Sequence, residues 1–242
     1  MRTKRLLILV CLGLFFAVIW FYQSKNILGL SFVKSANLNI YDEIVLLNNS
    51  AFGYSSIQAY ALFYVAPFLI VFQLFFLSDR AESIVRNHSR DHIFRERFGK
   101  ILLTSLLFSL GHTMVNLILT YLYVETSVLH ELNFFQVALF NTVGIFFFYS
   151  FIGLLYGLIN DRIGSRGLSL FITVILVGVL FFVEKLFLSQ TGALLKDLVI
   201  YTKFLQNEWG IRELLYTYVR QLLFIGFIYF IGSFVFVRKD IY

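Results

Sequence analysis

Charge is scarce in this chain. Only 14% of its 242 residues are Asp, Glu, Lys or Arg, against about a quarter in ordinary soluble domains. That deficit, with 59% hydrophobic residues, excludes a conventional soluble fold and places the chain in the membrane class. Proline is nearly absent, with one copy, Pro67, which argues against proline-rich linkers and long ordered loops. The single cysteine, Cys11, excludes a disulfide framework and a cysteine metal cluster; set in an apolar run, it is expected to face lipid or a neighbouring helix. No Gly-x-Ser-x-Gly element is present. A phosphate-binding loop is missing as well: Phe94 stands where a glycine is needed ahead of Gly99-Lys100, and Ile101 follows instead of Ser or Thr. Without room for a soluble domain, the chain is expected to carry no ATPase of its own. The net charge of +6 could point to nucleic acid; in so apolar a chain it is read as basic residues gathered at one membrane face, with no nucleic-acid partner.

What is present is aromatic and apolar, with 30 Phe and six runs long enough to cross a bilayer. They are expected at 6–22, 58–77, 101–124, 137–159, 167–183 and 218–237. The first follows Arg2, Lys4 and Arg5 and ends in the aromatic belt Trp20-Phe21-Tyr22. No small-residue cleavage site follows it, so a retained helix is expected. Pro67 predicts a kink near the middle of the second run. Gly153 and Gly157 form a GxxxG in the fourth, a motif that permits close helix contact. The segments 23–57, 125–136 and 184–217 are assigned to the outer side. In the last of these, Leu194, Leu198, Tyr201, Leu205 and Trp209 recur at helical spacing opposite Lys196, Lys203 and Asn207. An interfacial helix ended by Gly210 is expected there, followed by a short helical piece at 211–216. Thirteen of the twenty Lys and Arg fall in the segments assigned to the inner side. By the positive-inside rule both termini are cytoplasmic. The expected fold is all-α: a polytopic membrane protein with one transmembrane domain over 1–242.

Residues 78–100 form the only long polar run. They hold six basic residues, Arg80, Arg86, Arg90, Arg95, Arg97 and Lys100, together with Asp79, Glu82, Asp91 and Glu96. Asp79 and Glu82 have capping-box spacing. Asn87-His88-Ser89 predicts a break between two short amphipathic helices lying along the membrane face. Phe94, Phe98 and Ile101 would anchor the second helix, with Arg90, Arg95 and Arg97 elsewhere on its surface. The plainer reading is a solvated loop that only fixes topology. Inside the third run, His112 and Asn116 share one helix face, and a hydrogen-bonded pair is expected. Buried ionisable groups in a membrane are candidates for function, and an intramembrane hydrolase using His112 is the alternative. Against it, no span holds an acidic pair or a second histidine. No three ligands for zinc come together from neighbouring positions, and His88 with His92 supplies only two. No catalytic residue and no metal site are therefore assigned. A stand-alone channel or secondary transporter would show intramembrane charges or paired broken helices; the runs here are almost free of charge.

Six spans, a basic helix pair between the second and third, and a long amphipathic outer segment before the sixth resemble the ABC-2 family of transporter permeases. The likeness is strongest over 76–102, where Asp79 and Glu82 fill the acidic exit and Gly99-Lys100 the entry to the third span. The ending Phe236-Val237-Arg238-Lys239-Asp240-Ile241 is similar too. A Gly-Thr common in that family is replaced by Ile84-Val85. The resemblance implies a non-enzymatic permease subunit in a bacterial-type plasma membrane, surrounded by membrane lipids. It implies a partner cytoplasmic ABC ATPase, which would bind ATP and Mg, and a second permease subunit, the same or homologous. It implies that Asp79, Glu82, Arg86, Arg90, Phe94, Arg95, Phe98 and Lys100 couple the chain to that ATPase. The expected substrate is amphipathic or peptide-like, for export or for immunity to antimicrobial peptides.

Overall fold

Continuous apolar stretches without proline satisfy their backbone groups most simply as helices, the more so where no water competes for the hydrogen bonds. The computed structural model describes residues 2–28, 40–49, 53–76, 90–187 and 194–237, and every regular element among them is helical. They are α1 (Arg2–Leu28), α2 (Ile40–Asn49), α3 (Val65–Phe76), α4 (Arg90–Tyr123), α5 (Thr126–Glu131), α6 (Phe134–Ile163), α7 (Arg166–Phe187), α8 (Ile200–Leu205) and α9 (Ile211–Val237). Five of these, α1, α4, α6, α7 and α9, are long and apolar enough to cross a membrane. The chain is a multi-pass helical membrane protein.

Side-chain contacts give each helix its direction. Phe16 and Trp20 of α1 meet Phe108 and Asn116 of α4, so these two helices run parallel. Ile101 of α4 meets Gly153 of α6 and Thr113 meets Thr142, so α6 runs opposite to α4; Phe68 and Phe72 of α3 meet Tyr149 and Tyr156 of α6, so α3 runs with α6. Gln73 of α3 donates to the Arg166 carbonyl at the start of α7, while Leu62 lies beside Gly178, so α7 runs with α4. Phe94 of α4 meets Phe236 near the end of α9, so α9 runs against α4. Direction therefore alternates along the chain through α1, α3, α4, α6, α7 and α9. One end of the bundle, the basic end, carries the starts of α4 and α7 and the ends of α3, α6 and α9. The opposite end carries α2, α5, α8 and residues 53–57.

The irregularity expected in the second run is present: the chain bends at Tyr64, three residues before Pro67, which sits in the first turn of α3. Ala59–Phe63 is a π-helical turn, closed by Tyr64 N–H to the Ala59 carbonyl at 2.9 Å. The segments assigned to the outer side are more structured than loops: α2 and α5 lie within them. The expected interfacial helix is replaced by a 3₁₀ turn, Lys196–Leu198, and the short α8. Its apolar stripe is real, since Leu194, Leu198, Tyr201 and Leu205 are all buried. However, it packs into the bundle instead of lying along a lipid surface. Leu195 N–H donates to Glu184 of α7 at 2.9 Å, and the fully buried Asp197 pairs with Arg220 of α9. Residues 211–216 belong to α9 and form no separate piece. Asn207 at φ 55° ends this excursion, a conformation asparagine tolerates.

Glycine sets the tightest helix contacts. A Cβ at Gly153 would stand 2.6 Å from Cγ2 of Ile101 on α4, and one at Gly144 would stand 2.7 Å from Cδ1 of Ile200. The first glycine of the GxxxG thus serves packing between α6 and α4 within the chain. Close backbone approach is what holds helices together in lipid, where apolar burial supplies little drive. Cys11 is exposed on α1.

Candidate functional site

Two constellations stand out, a polar centre in the bundle and a clamped extension at the basic end. The centre is built around α4. His112 and Asn116 lie one turn apart and are both buried, as their spacing predicts. They are not bonded to each other, which corrects the expected pair. His112 stacks on Tyr54, with ring centroids 4.3 Å apart and an interplanar angle of 11°. Phe16, Tyr60 and Tyr64 surround it, each with its ring centroid 5.3 Å away. Its Nε2 lies 3.4 Å from the Tyr54 carbonyl, and the Tyr54 hydroxyl donates back to the His112 carbonyl at 3.0 Å. No serine, threonine, cysteine or acidic side chain is among these contacts.

Asn116 instead joins four other parts of the chain. Its Oδ1 accepts from Trp20 Nε1 of α1 at 3.2 Å. Its Nδ2 donates to Asn48 Oδ1 of α2 at 3.0 Å and to the Tyr201 hydroxyl of α8 at 3.1 Å, with Ser55 Oγ at 3.4 Å. A short amide is suited to this task because it both donates and accepts. Asn116→Leu is expected to strand those partners and to destabilise the fold by about 1–3 kcal/mol, read as a lower melting temperature in detergent. His112→Gln is expected to do less, since the imidazole makes only one long polar contact. A Gln variant that melts earlier than the Leu variant at 116 would reverse this ranking.

At the basic end, α4 begins at Arg90 and runs unbroken to Tyr123 over 34 residues. Residues 90–100 are therefore the first turns of the long helix α4, not a separate short helix. Nothing between Arg90 and Ile101 breaks a helix apart from the mild Gly99. Two groups hold this extension upright. Phe94 is buried against Tyr229 and Phe236 of α9, and its ring sits over Gly232, where a Cβ would come within 3.1 Å. Phe98 is half-buried, with its ring centroid 4.8 Å from that of Tyr229.

Arg97, expected on the surface, is buried. Its Nη1 reaches both carboxylate oxygens of Asp161 on α6, at 2.7 and 2.8 Å, and its guanidinium lies 4.7 Å from the Phe236 ring centroid. This ion pair was missed by sequence reasoning. A signal existed: Asp161 is the only acidic residue between Glu131 and Glu184, and a carboxylate at the end of an apolar helix calls for a partner.

Of the other proposed coupling residues, Arg90 and Arg95 are exposed, and Lys100 pairs with Glu96 at 2.9 Å. Asp79, Glu82 and Arg86 lie outside the described residues, as does the proposed break at 87–89. The extension thus has a bundle side, Phe94 with Arg97, and an exposed side with His92 and Arg95, while Arg90, exposed at the first residue of α4, lies in line with Phe94 and Arg97. Comparison with protein-family models, curated proteins and solved structures returns no match. The chemistry of these two constellations is therefore the basis for a functional reading.

Proposed function

We propose that this chain is the transmembrane subunit of an ATP-driven transporter of the ABC-2 type, working with a separate soluble ATPase and a second permease subunit. The observation that carries this reading is the α4 extension. At 1.5 Å per residue α4 is about 51 Å long, against a hydrocarbon core of about 30 Å, so its first turns reach beyond the bilayer. There it offers exposed charge to a soluble partner. At its base the Arg97–Asp161 pair and Phe94 tie it to α6 and α9. A push on the extension is then shared by three spans instead of bending one, as a drive from a separate motor requires.

The alternating helix directions support six crossings, with α3 and its preceding π turn as the second. The basic end then faces the cytoplasm. Among the described residues that end carries Arg2, Lys4, Arg5, Arg90, Arg95, Arg97, Lys100, Arg162 and Arg166 against Asp91, Glu96 and Asp161. The middle of the bundle buries Tyr, Asn, Ser, Thr and His in place of charged groups, which favours an amphipathic or peptide-like substrate over an ion. In a Cys11→Ser background, a cysteine at the exposed Gln206 is expected to react with an impermeant thiol reagent on intact cells. One at the exposed Ser165 should react only after permeabilisation. Labelling of Ser165 from outside would invert the arrangement and remove the contact with a cytoplasmic ATPase.

A further inference from the structure

At the basic end, α9 is drawn toward α4 by Phe94, Tyr229 and Phe236, while α7 packs on α6 and α3. The face of α6 between α7 and α9 is left uncovered. A groove of about 330 Å³ results, with apolar walls from Leu158, Ile159, Ile172, Ile231 and Val235 and one cationic group, Arg162, among its lining residues. We infer that this groove is a binding site for an anionic phospholipid, with the upper part of one acyl chain between α7 and α9 and the phosphate at Arg162.

Three observations converge on that occupant. The walls are branched aliphatic side chains on three helices, within about two turns of the basic end. Such walls suit a flexible chain and offer no hydrogen bond to a polar ligand. Arg162 is exposed in the last turn of α6, and a guanidinium matches phosphate geometry. The nearest carboxylate in sequence, Asp161, is engaged by Arg97, and the described basic end carries three times as many basic as acidic residues. Basic pockets between helices at one membrane face are a recurrent means of holding anionic headgroups. The inference does not depend on what the protein transports, or on whether it transports at all.

The test uses the full chain in nanodiscs of phosphatidylcholine with or without phosphatidylglycerol. Lipid retained after detergent extraction is counted by native mass spectrometry. The wild type is expected to retain phosphatidylglycerol in preference to phosphatidylcholine, and soluble glycerol phosphate should not displace it. Arg162→Gln should lower the preference about fivefold, the factor for one basic group at an anionic surface, and Arg162→Lys should keep most of it. Ile231→Trp should fill the groove and abolish retention of both lipids with the melting temperature unchanged. If that variant does not fold, Ile172→Phe blocks the opposite wall. Equal retention of the two lipids by the wild type would overturn the proposal. So would undiminished retention when the groove is filled, or self-association of the chain that Ile231→Trp abolishes without any change in bound lipid.

Discussion

Asp161→Leu is expected to be the most damaging single substitution to stability in this chain, and Arg97→Met with Asp161→Leu is expected to repair most of the damage. The single change leaves the buried guanidinium of Arg97 without its carboxylate. Breaking a buried ion pair from one side typically costs about 3–5 kcal/mol, whereas replacing both partners by apolar groups is often neutral. The lower end of that range applies here. Arg97 lies near the start of α4, keeps the face of Phe236 beneath it, and has an aliphatic stem that can carry its head toward water. Thermal unfolding in detergent reads the stability. A single variant that melts like the wild type would show that the pair carries little. The double variant separates stability from coupling: it should fold, yet a joint made of flexible methionine and leucine should transmit less of a push applied to residues 90–100. ATP-dependent transport at wild-type rates in a well-folded double variant would mean that packing by Phe94 alone holds the lever.

The multi-pass helical architecture was legible because a bilayer imposes a length on apolar runs. The runs 137–159 and 167–183 fall inside α6 and α7 for that reason, and 101–124 fills most of α4. Helix ends were less legible, because a helix need not stop where its hydrophobicity does. Arg90–Lys100 continues α4, and Ile211–Tyr216 opens α9. Polar partners were not legible at all. Periodicity put His112 and Asn116 on one face, but Asn116 finds Trp20, Asn48 and Tyr201 at the far end of the bundle. Nothing local in the sequence pairs positions so widely separated. Arg97 and Asp161 failed for a related reason. Each lies beside other charges that read as a membrane rim, and only the antiparallel packing of α4 on α6 brings them together. The bend near Pro67 was legible, but the π turn at Ala59–Phe63 that leads into it was not, since nothing in its composition marks it.

Reversing two exposed charges in the first turns of α4, Arg90→Glu with Arg95→Glu, is expected to uncouple the protein without unfolding it. Both residues are exposed, and the Phe94 and Phe98 rings that meet Tyr229 and Phe236 of α9 stay in place. Membrane insertion should be unchanged, since Lys100, Arg162 and Arg166 still mark the same end. Opposed charges at a close contact cost a few kcal/mol; about 2 kcal/mol weakens Kd roughly thirtyfold. Co-purification with the ATPase should fall, and ATP hydrolysis in reconstituted vesicles should lose its link to transport. Phe94→Ser with Phe98→Ser should uncouple by another route. It removes the packing between α4 and α9 and leaves the exposed charges in place, so the ATPase still binds but pushes on a loose helix. Salt distinguishes the two mechanisms. Raising ionic strength screens exposed charge, so it should weaken ATPase binding to the wild type and narrow its difference from the Glu variant. Salt does nothing to restore packing, and the Ser variant should stay uncoupled at every concentration. A charge-reversed protein that binds an ATPase and transports as the wild type does would reduce this end of α4 to a topology signal and leave the transporter reading without its motor contact.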